Sequence, residues 1–246
     1  MQVTGSKSLK SYRLSIRVFT GGFSLYTYNS SNGKLVEEES VEVNQETEEE
    51  PQQVLRKALE RPRIMDYEYE EVEVMVCSSI TRVPLDEFRR EEYPSLYRLT
   101  FAKKKFRDEE IHYEILSGLE VVELFALDAK VEKTILELYP DAKIHSIEGR
   151  YLENVAEQER NSSEELTRYY ATIDQNQLFI CTFQQGKLQF ACSYSIESDA
   201  DRLYFILYAW KTLGLENERN TCILKGASDN LSAELRKFIL HIETCA

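Results

Sequence analysis

The chain has 246 residues, a formal net charge of −13 and 42% hydrophobic residues, among them fifteen Tyr and eleven Phe. The aromatic content excludes a disordered chain, and the length allows one large domain or two modest ones. The acidic balance repels polyanions, so nucleic acid and anionic membrane are not the expected partners.

Five cysteines, Cys77, Cys181, Cys192, Cys222 and Cys245, are odd in number, widely spread and without a C-x-x-C pair. Four of them fall in apolar strand-like stretches, where cysteine behaves as a small hydrophobe, and a reducing compartment follows. The first ten residues are polar, with no signal-peptide core, and the longest apolar runs, such as 203–210, are too short to span a bilayer. The expectation is a soluble, cytoplasmic protein.

Leu14, Ile16 and Val18 alternate with Arg13, Ser15 and Arg17, the period of a half-buried strand over 12–18. Thr20-Gly21-Gly22 marks a turn, a second strand runs over 23–28, and Asn32-Gly33-Lys34 closes a hairpin onto a third, 35–43. After the acidic run 46–50, Pro51 opens a helix with Val54, Leu55, Ala58 and Leu59 on one stripe, and 72–77 reads as a β-branched strand. Short strands are expected over 98–102 and 112–116, flanking the basic run 103–107. An apolar strand over 120–126 precedes a helix capped by Asp128, stopped by Pro140 and followed by a strand over 143–147. Residues 151–167, rich in Glu, Asn and Ser, read as a helix or linker.

The same order then repeats: strand 169–173, turn Asp174–Gln177, a hairpin of 178–183 and 188–196 around Gly186, a helix over 199–213 and a strand over 221–225. Ser198 or Asp199 suits the helix cap, Gly214 its end, and Tyr204 and Tyr208 widen the apolar face so that two sides are covered. A last helix is expected over 231–242, with Leu235, Phe238, Ile239 and Ile242 inward. Gly33-Lys34-Leu35 matches Gly186-Lys187-Leu188, and the other strands and the helix correspond in order. The fold class is therefore α/β with mixed sheets, two βββαβ copies over 1–150 and 151–246, the first carrying an inserted subdomain at about 98–150.

That element order, with the stretch Ile223-Leu224-Lys225-Gly226-Ala227-Ser228-Asp229-Asn230-Leu231, resembles the actin-like, ribonuclease H-like ATPase fold of sugar kinases, heat-shock ATPases and pilus-assembly or cell-division ATPases. Within it the chain is similar to a bacterial family known only as a domain of unknown function. In that fold a nucleotide lies between the two halves, two hairpin turns cradle its phosphates, and strand carboxylates hold Mg²⁺ through water. The resemblance implies that ATP and Mg²⁺, if bound, would meet Gly21, Gly22, Asp174, Gly226, Ala227 and Ser228.

The chemistry needs glycines for close backbone approach together with a metal-orienting acid. The first turn, Phe19-Thr20-Gly21-Gly22, has glycines but no acid; the second, Asp174-Gln175-Asn176-Gln177, has an acid but no glycine. Asp174 reads either as a metal-facing carboxylate or as an ordinary turn residue, and Gly226-Ala227-Ser228 either as an adenosine contact or as a strand-to-helix connector. The basic run 103–107 is a solvated loop or a contact for phosphate or an acidic partner. His112, His145 and His241 are isolated, and no P-loop or G-x-S-x-G is present. No cofactor or metal is expected. Two functions remain: a non-catalytic interaction module with a protein partner or a homodimeric contact, and an atypical nucleotide-binding ATPase or kinase.

Overall fold

The computed structural model describes residues 11–43, 49–102, 109–163 and 165–245. Residues 46–48 of the acidic run, the basic run 103–107 and the first ten residues lie outside them. Two compact units are formed, 1–116 with 120–149, and 117–119 with 150–246.

In the first unit the alternation of the N-terminal segment produces β1 (Tyr12–Phe19), antiparallel to β2 (Gly22–Asn29), which pairs antiparallel with β3 (Leu35–Glu42). The chain leaves the sheet through α1 (Pro51–Leu59) and the short α2 (Pro62–Met65) and returns as β4 (Tyr69–Val76), parallel to β1. Leu14, Ile16, Leu25 and Val74 from the sheet meet Leu55, Ala58 and Ile64 from the helices in one core.

Next come β5 (Thr81–Pro84), α3 (Tyr93–Thr100), β6 (Glu109–Leu116) and β7 (Val121–Asp128), with the strands in a separate three-stranded sheet ordered β5-β7-β6. β7 serves two cores: Phe125 and Leu127 join the first, while Val122, Leu124 and Ala126 pack with Tyr97 and Ile111. Burial on both faces explains its nearly unbroken apolar run. α4 (Ala129–Leu138) starts at Asp128, whose carboxylate accepts from the Lys130 and Val131 amides at 2.9 and 3.0 Å. β8 (Lys143–Ser146) follows and adds parallel to β4, completing the order β3-β2-β1-β4-β8.

Two expectations fail here. The strand expected over 98–102 is the end of α3: Leu99 is 74% exposed, whereas Tyr97 and Phe101, one helical turn apart, pair their rings at 4.8 Å. The strand–helix–strand placed in the insert is divided, because β7 belongs to the small sheet while α4 and β8 belong to the large one.

α5 (Ile147–Glu159) runs from the first unit into the second. There β9 (Arg168–Asp174), β10 (Gln177–Gln184), β11 (Lys187–Ser195), α6 (Asp199–Thr212), β12 (Thr221–Lys225), α7 (Asp229–Leu235) and β13 (His241–Cys245) follow. The sheet order is β11-β10-β9-β12-β13. It carries the same antiparallel and parallel neighbours as the first five-stranded sheet.

Tyr169, Ala171, Leu178 and Ile180 face Ile206, Trp210, Leu231 and Leu235, while on the other sheet face Tyr151 of α5 stacks on Phe179 at 5.1 Å. Ser198 and Asp201 form a capping box at the start of α6. Tyr204 and Tyr208, expected to be covered, are exposed and stack on each other at 5.8 Å. The last helix is also shorter than expected: it ends at Leu235, and residues 241–245 extend β12's sheet as β13, leaving Phe238 exposed.

Candidate functional site

Parallel strands β9 and β12 end side by side, which in open α/β sheets is the edge where ligands sit. Four of the expected site residues gather there. Lys225 is in register with Thr172, so Gly226 lies next to Ile173 and one residue from Asp174 along β9. Gly226 has φ +71°, and a β-carbon on it would overlap the Ile173 carbonyl oxygen. Its freedom is used by this chain's own backbone. Ala227 is partly buried against the core of the second unit. Ser228 caps α7, its hydroxyl accepting from the Leu231 amide at 3.2 Å.

Asp174 closes a two-residue turn by pairing with Gln177, and Gln175 supplies the left-handed residue at φ +52°. The turn is tied inward: the Asn176 carbonyl accepts from the Ile196 amide at 2.8 Å, and the Gln175 carbonyl from the Arg202 guanidinium at 3.5 Å.

Gly21 and Gly22 belong to the first unit, in the turn where Phe19 pairs with Gly22. Here the left-handed residue is the second of the turn, Gly21 at φ +96°, with open space beyond it. Gly22 lies against β3 so closely that a β-carbon would overlap the Val41 carbonyl oxygen. Near the end of β1, Arg17 places its guanidinium 4.9 Å from the Tyr26 ring.

A buried ionic cluster in the first unit was missed. Glu123 of β7 is fully buried, with Arg82 Nε donating to it at 3.0 Å and the Ser146 hydroxyl donating to its other oxygen. Arg82 also donates to Glu148 at 2.6 Å, and the Gly149 amide donates to Ser146 Oγ at 3.2 Å. Beside them His145 Nδ1 and Glu114 meet at 2.7 Å. Burial pushes the Glu123 carboxyl up to about 7, although Arg82 and Ser146 pull it back. A signal existed in the sequence: one Glu inside Val-Val-Glu-Leu-Phe-Ala-Leu cannot face solvent if the strand is buried on both sides. The cluster links β5, β7, β8 and the start of α5, so its geometry is that of a structural joint.

Among the described residues no group of three or more His, Cys, Asp or Glu is arranged to hold a metal ion, and no helix is long and apolar enough to cross a membrane. His112 instead meets Glu132 at 3.0 Å, and His241 the Glu218 carbonyl at 3.1 Å.

A family model described as "Protein of unknown function (DUF3822)" matches residues 4–242. The chain belongs to the DUF3822 family. This DUF3822 protein is also similar to a solved protein from Bacteroides thetaiotaomicron VPI-5482, described as having an actin-like ATPase fold and unknown function. The two share 28% identity with a TM-score of 0.77, covering 100% of this chain and 94% of that one. The PilM-PilN type IV pilus biogenesis complex matches at 11% identity and a TM-score of 0.53, over 95% of this chain and 88% of that one. No curated protein matches. The fold is the actin-like ATPase fold.

Proposed function

We propose that this DUF3822 protein is a non-catalytic interaction module, an actin-like scaffold that binds a protein partner and does not hydrolyse nucleotide. One observation carries the reading: of the residues expected to meet a nucleotide, Gly22, Gly226 and Ser228 are engaged by the fold itself, while Gly21 faces open space. Gly226 accommodates the Ile173 carbonyl, Gly22 the Val41 carbonyl, and Ser228 caps a helix. The turn holding Asp174 has side chains where close approach to phosphate favours glycine. Mg-ATP therefore does not fit these residues well, and no catalytic step is assigned.

The repeated strand order and pairing support descent from a doubled unit. Five free cysteines agree with a reducing, cytoplasmic location. The PilM-PilN complex is an instance of the fold engaging another protein.

The second reading, an atypical nucleotide-binding ATPase or kinase, is favoured by the meeting of Asp174 with Gly226–Ser228 at one strand edge. Thermal unfolding with and without Mg-ATP separates the two. A ligand at a hundred times its Kd stabilises by about 2.7 kcal/mol. We expect no rise in Tm; a rise that Asp174→Ala abolishes refutes the scaffold reading.

A further inference from the structure

The large sheet of the first unit is incomplete at one corner. β8 pairs with β4 only from Glu73 to Val76, whereas β4 begins at Tyr69. On its other side the early part of β4 is paired, since Tyr69, Glu71 and Val72 oppose Tyr12, Arg13 and Leu14 of β1. Among the described residues, then, no strand pairs with 69–72 on the side that β8 occupies further along. The length left open is about 13 Å of strand at about 3.3 Å per residue. A register shift falls within it: Tyr12 faces Tyr69 but Arg13 faces Glu71, leaving Glu70 as the extra residue of a bulge. Bulges re-aim side chains and end regular pairing.

The gap is a groove of about 600 Å³ between this edge and the turn from α4 to β8. Its floor holds Tyr69 and Tyr139, whose rings meet edge-on at 6.1 Å. The Tyr69 hydroxyl donates to the Ile64 carbonyl at 2.9 Å, which fixes that ring. Glu70, Glu71 and Asp141 stand at the rim against one base, Lys143, which pairs with Glu71 at 2.7 Å. Hydrogen bonds hold the Glu70 and Glu71 carboxyls below the usual carboxylate range, Glu70 chiefly from Ser11 and Glu71 from Lys143. Both are thus ionised at neutral pH.

We infer that this groove takes an extended, basic segment of a partner protein as an added strand beside residues 69–72. Main-chain pairing with an exposed strand edge supplies affinity in this mode, and side-chain pockets supply specificity. Here the specificity is charge: Lys143 offsets Glu71, and Arg13 lies beside Glu70. The net negative lining therefore rests on Glu70 and Asp141, which favour Lys or Arg on the incoming strand and repel acidic segments. The inference rests on the interaction-module reading and specifies the chemistry of its partner.

The test uses the full chain and two capped pentapeptides, Val-Lys-Val-Lys-Val and Val-Glu-Val-Glu-Val, titrated to millimolar concentration while backbone amide NMR shifts are followed. The lysine peptide should move the amides of residues 69–72 and bind at least tenfold more tightly than the glutamate peptide. The double variant Glu70→Lys with Asp141→Lys, both at solvent-facing positions, should reverse that preference while the remaining amide shifts stay those of the folded protein. Unmoved amides at 69–72, or equal binding of the two peptides, overturn the proposal. Concentration-dependent shifts at 69–72 without peptide overturn it too, because the occupant is then a second copy. None of these outcomes alters the Mg-ATP melt, so the groove can fail while the non-catalytic reading stands.

Discussion

Gly226→Ala asks whether the glycine of the strand-to-helix loop serves the fold or a ligand. Two terms add. Holding an L-residue in the left-handed region, here φ +71°, costs roughly 1–2 kcal/mol. The new β-carbon also falls inside 3.0 Å of the Ile173 carbonyl oxygen, a backbone atom in a strand paired on both sides. Relieving such an overlap by shifting backbone costs about 1–3 kcal/mol. The sum, about 2–5 kcal/mol, is a large part of a domain's stability.

Gly33→Ala is the internal control, with φ +66° and nothing within 4 Å, so it should lose only the left-handed term. Gly118→Ala, with open space and no left-handed constraint, should be near neutral. Urea unfolding of the three variants without ligand reads the difference. For Gly226→Ala the midpoint should fall by roughly 0.7–1.7 M at a slope of about 3 kcal/mol per M, the upper end of the usual range as suits a chain of this length. A loss no greater than that of Gly33→Ala refutes the packing argument and returns Gly226 to the candidate ligand residues.

Two further outcomes follow from the buried and capping groups. Arg82→Ala leaves Glu123 buried without its guanidinium, and removing one partner of such a pair costs about 3–5 kcal/mol where the carboxyl is charged. The Glu123 carboxyl is raised from 4.5 to about 7 in the folded chain, so its contribution to stability is complete below pH 4.5 and is lost as pH rises through 7. The destabilisation measured by urea unfolding should therefore be larger at pH 8 than at pH 5; a pH-independent loss contradicts this. Ser198→Ala removes one arm of the α6 capping box and should cost about 1 kcal/mol, read as a lower urea midpoint with an unchanged native circular dichroism spectrum. An unchanged midpoint refutes the cap's contribution.

Local chemistry carried much of the fold into the sequence. Alternation at Leu14, Ile16 and Val18, left-handed glycines at Gly33, Gly186 and Gly214, and caps at Asp128 and Ser198 act over a few residues, so they can be read without knowing what packs where. The candidate site was legible only as a set of positions. That Asp174 and Gly226 adjoin follows from the parallel pairing of β9 with β12, but what Gly226 accommodates depends on a carbonyl 53 residues earlier.

The sequence alone determined the hairpins β1–β3 and β9–β11 and the helices α1, α4 and α6, because periodicity and turn chemistry are short-range. Tertiary structure decided the rest. Residues 98–100 turn in α3 because Tyr97 is buried against the small sheet, while Leu99 is left outside. Residues 241–245 extend because β12 offers an edge to pair with, overriding an apolar spacing that suited a helix. β8 is four residues long, and among the described residues that length leaves the first part of β4 without a paired strand on that side. Such outcomes depend on which backbone and side-chain groups compete for the same partner, and that competition spans distances over which a linear pattern carries no record.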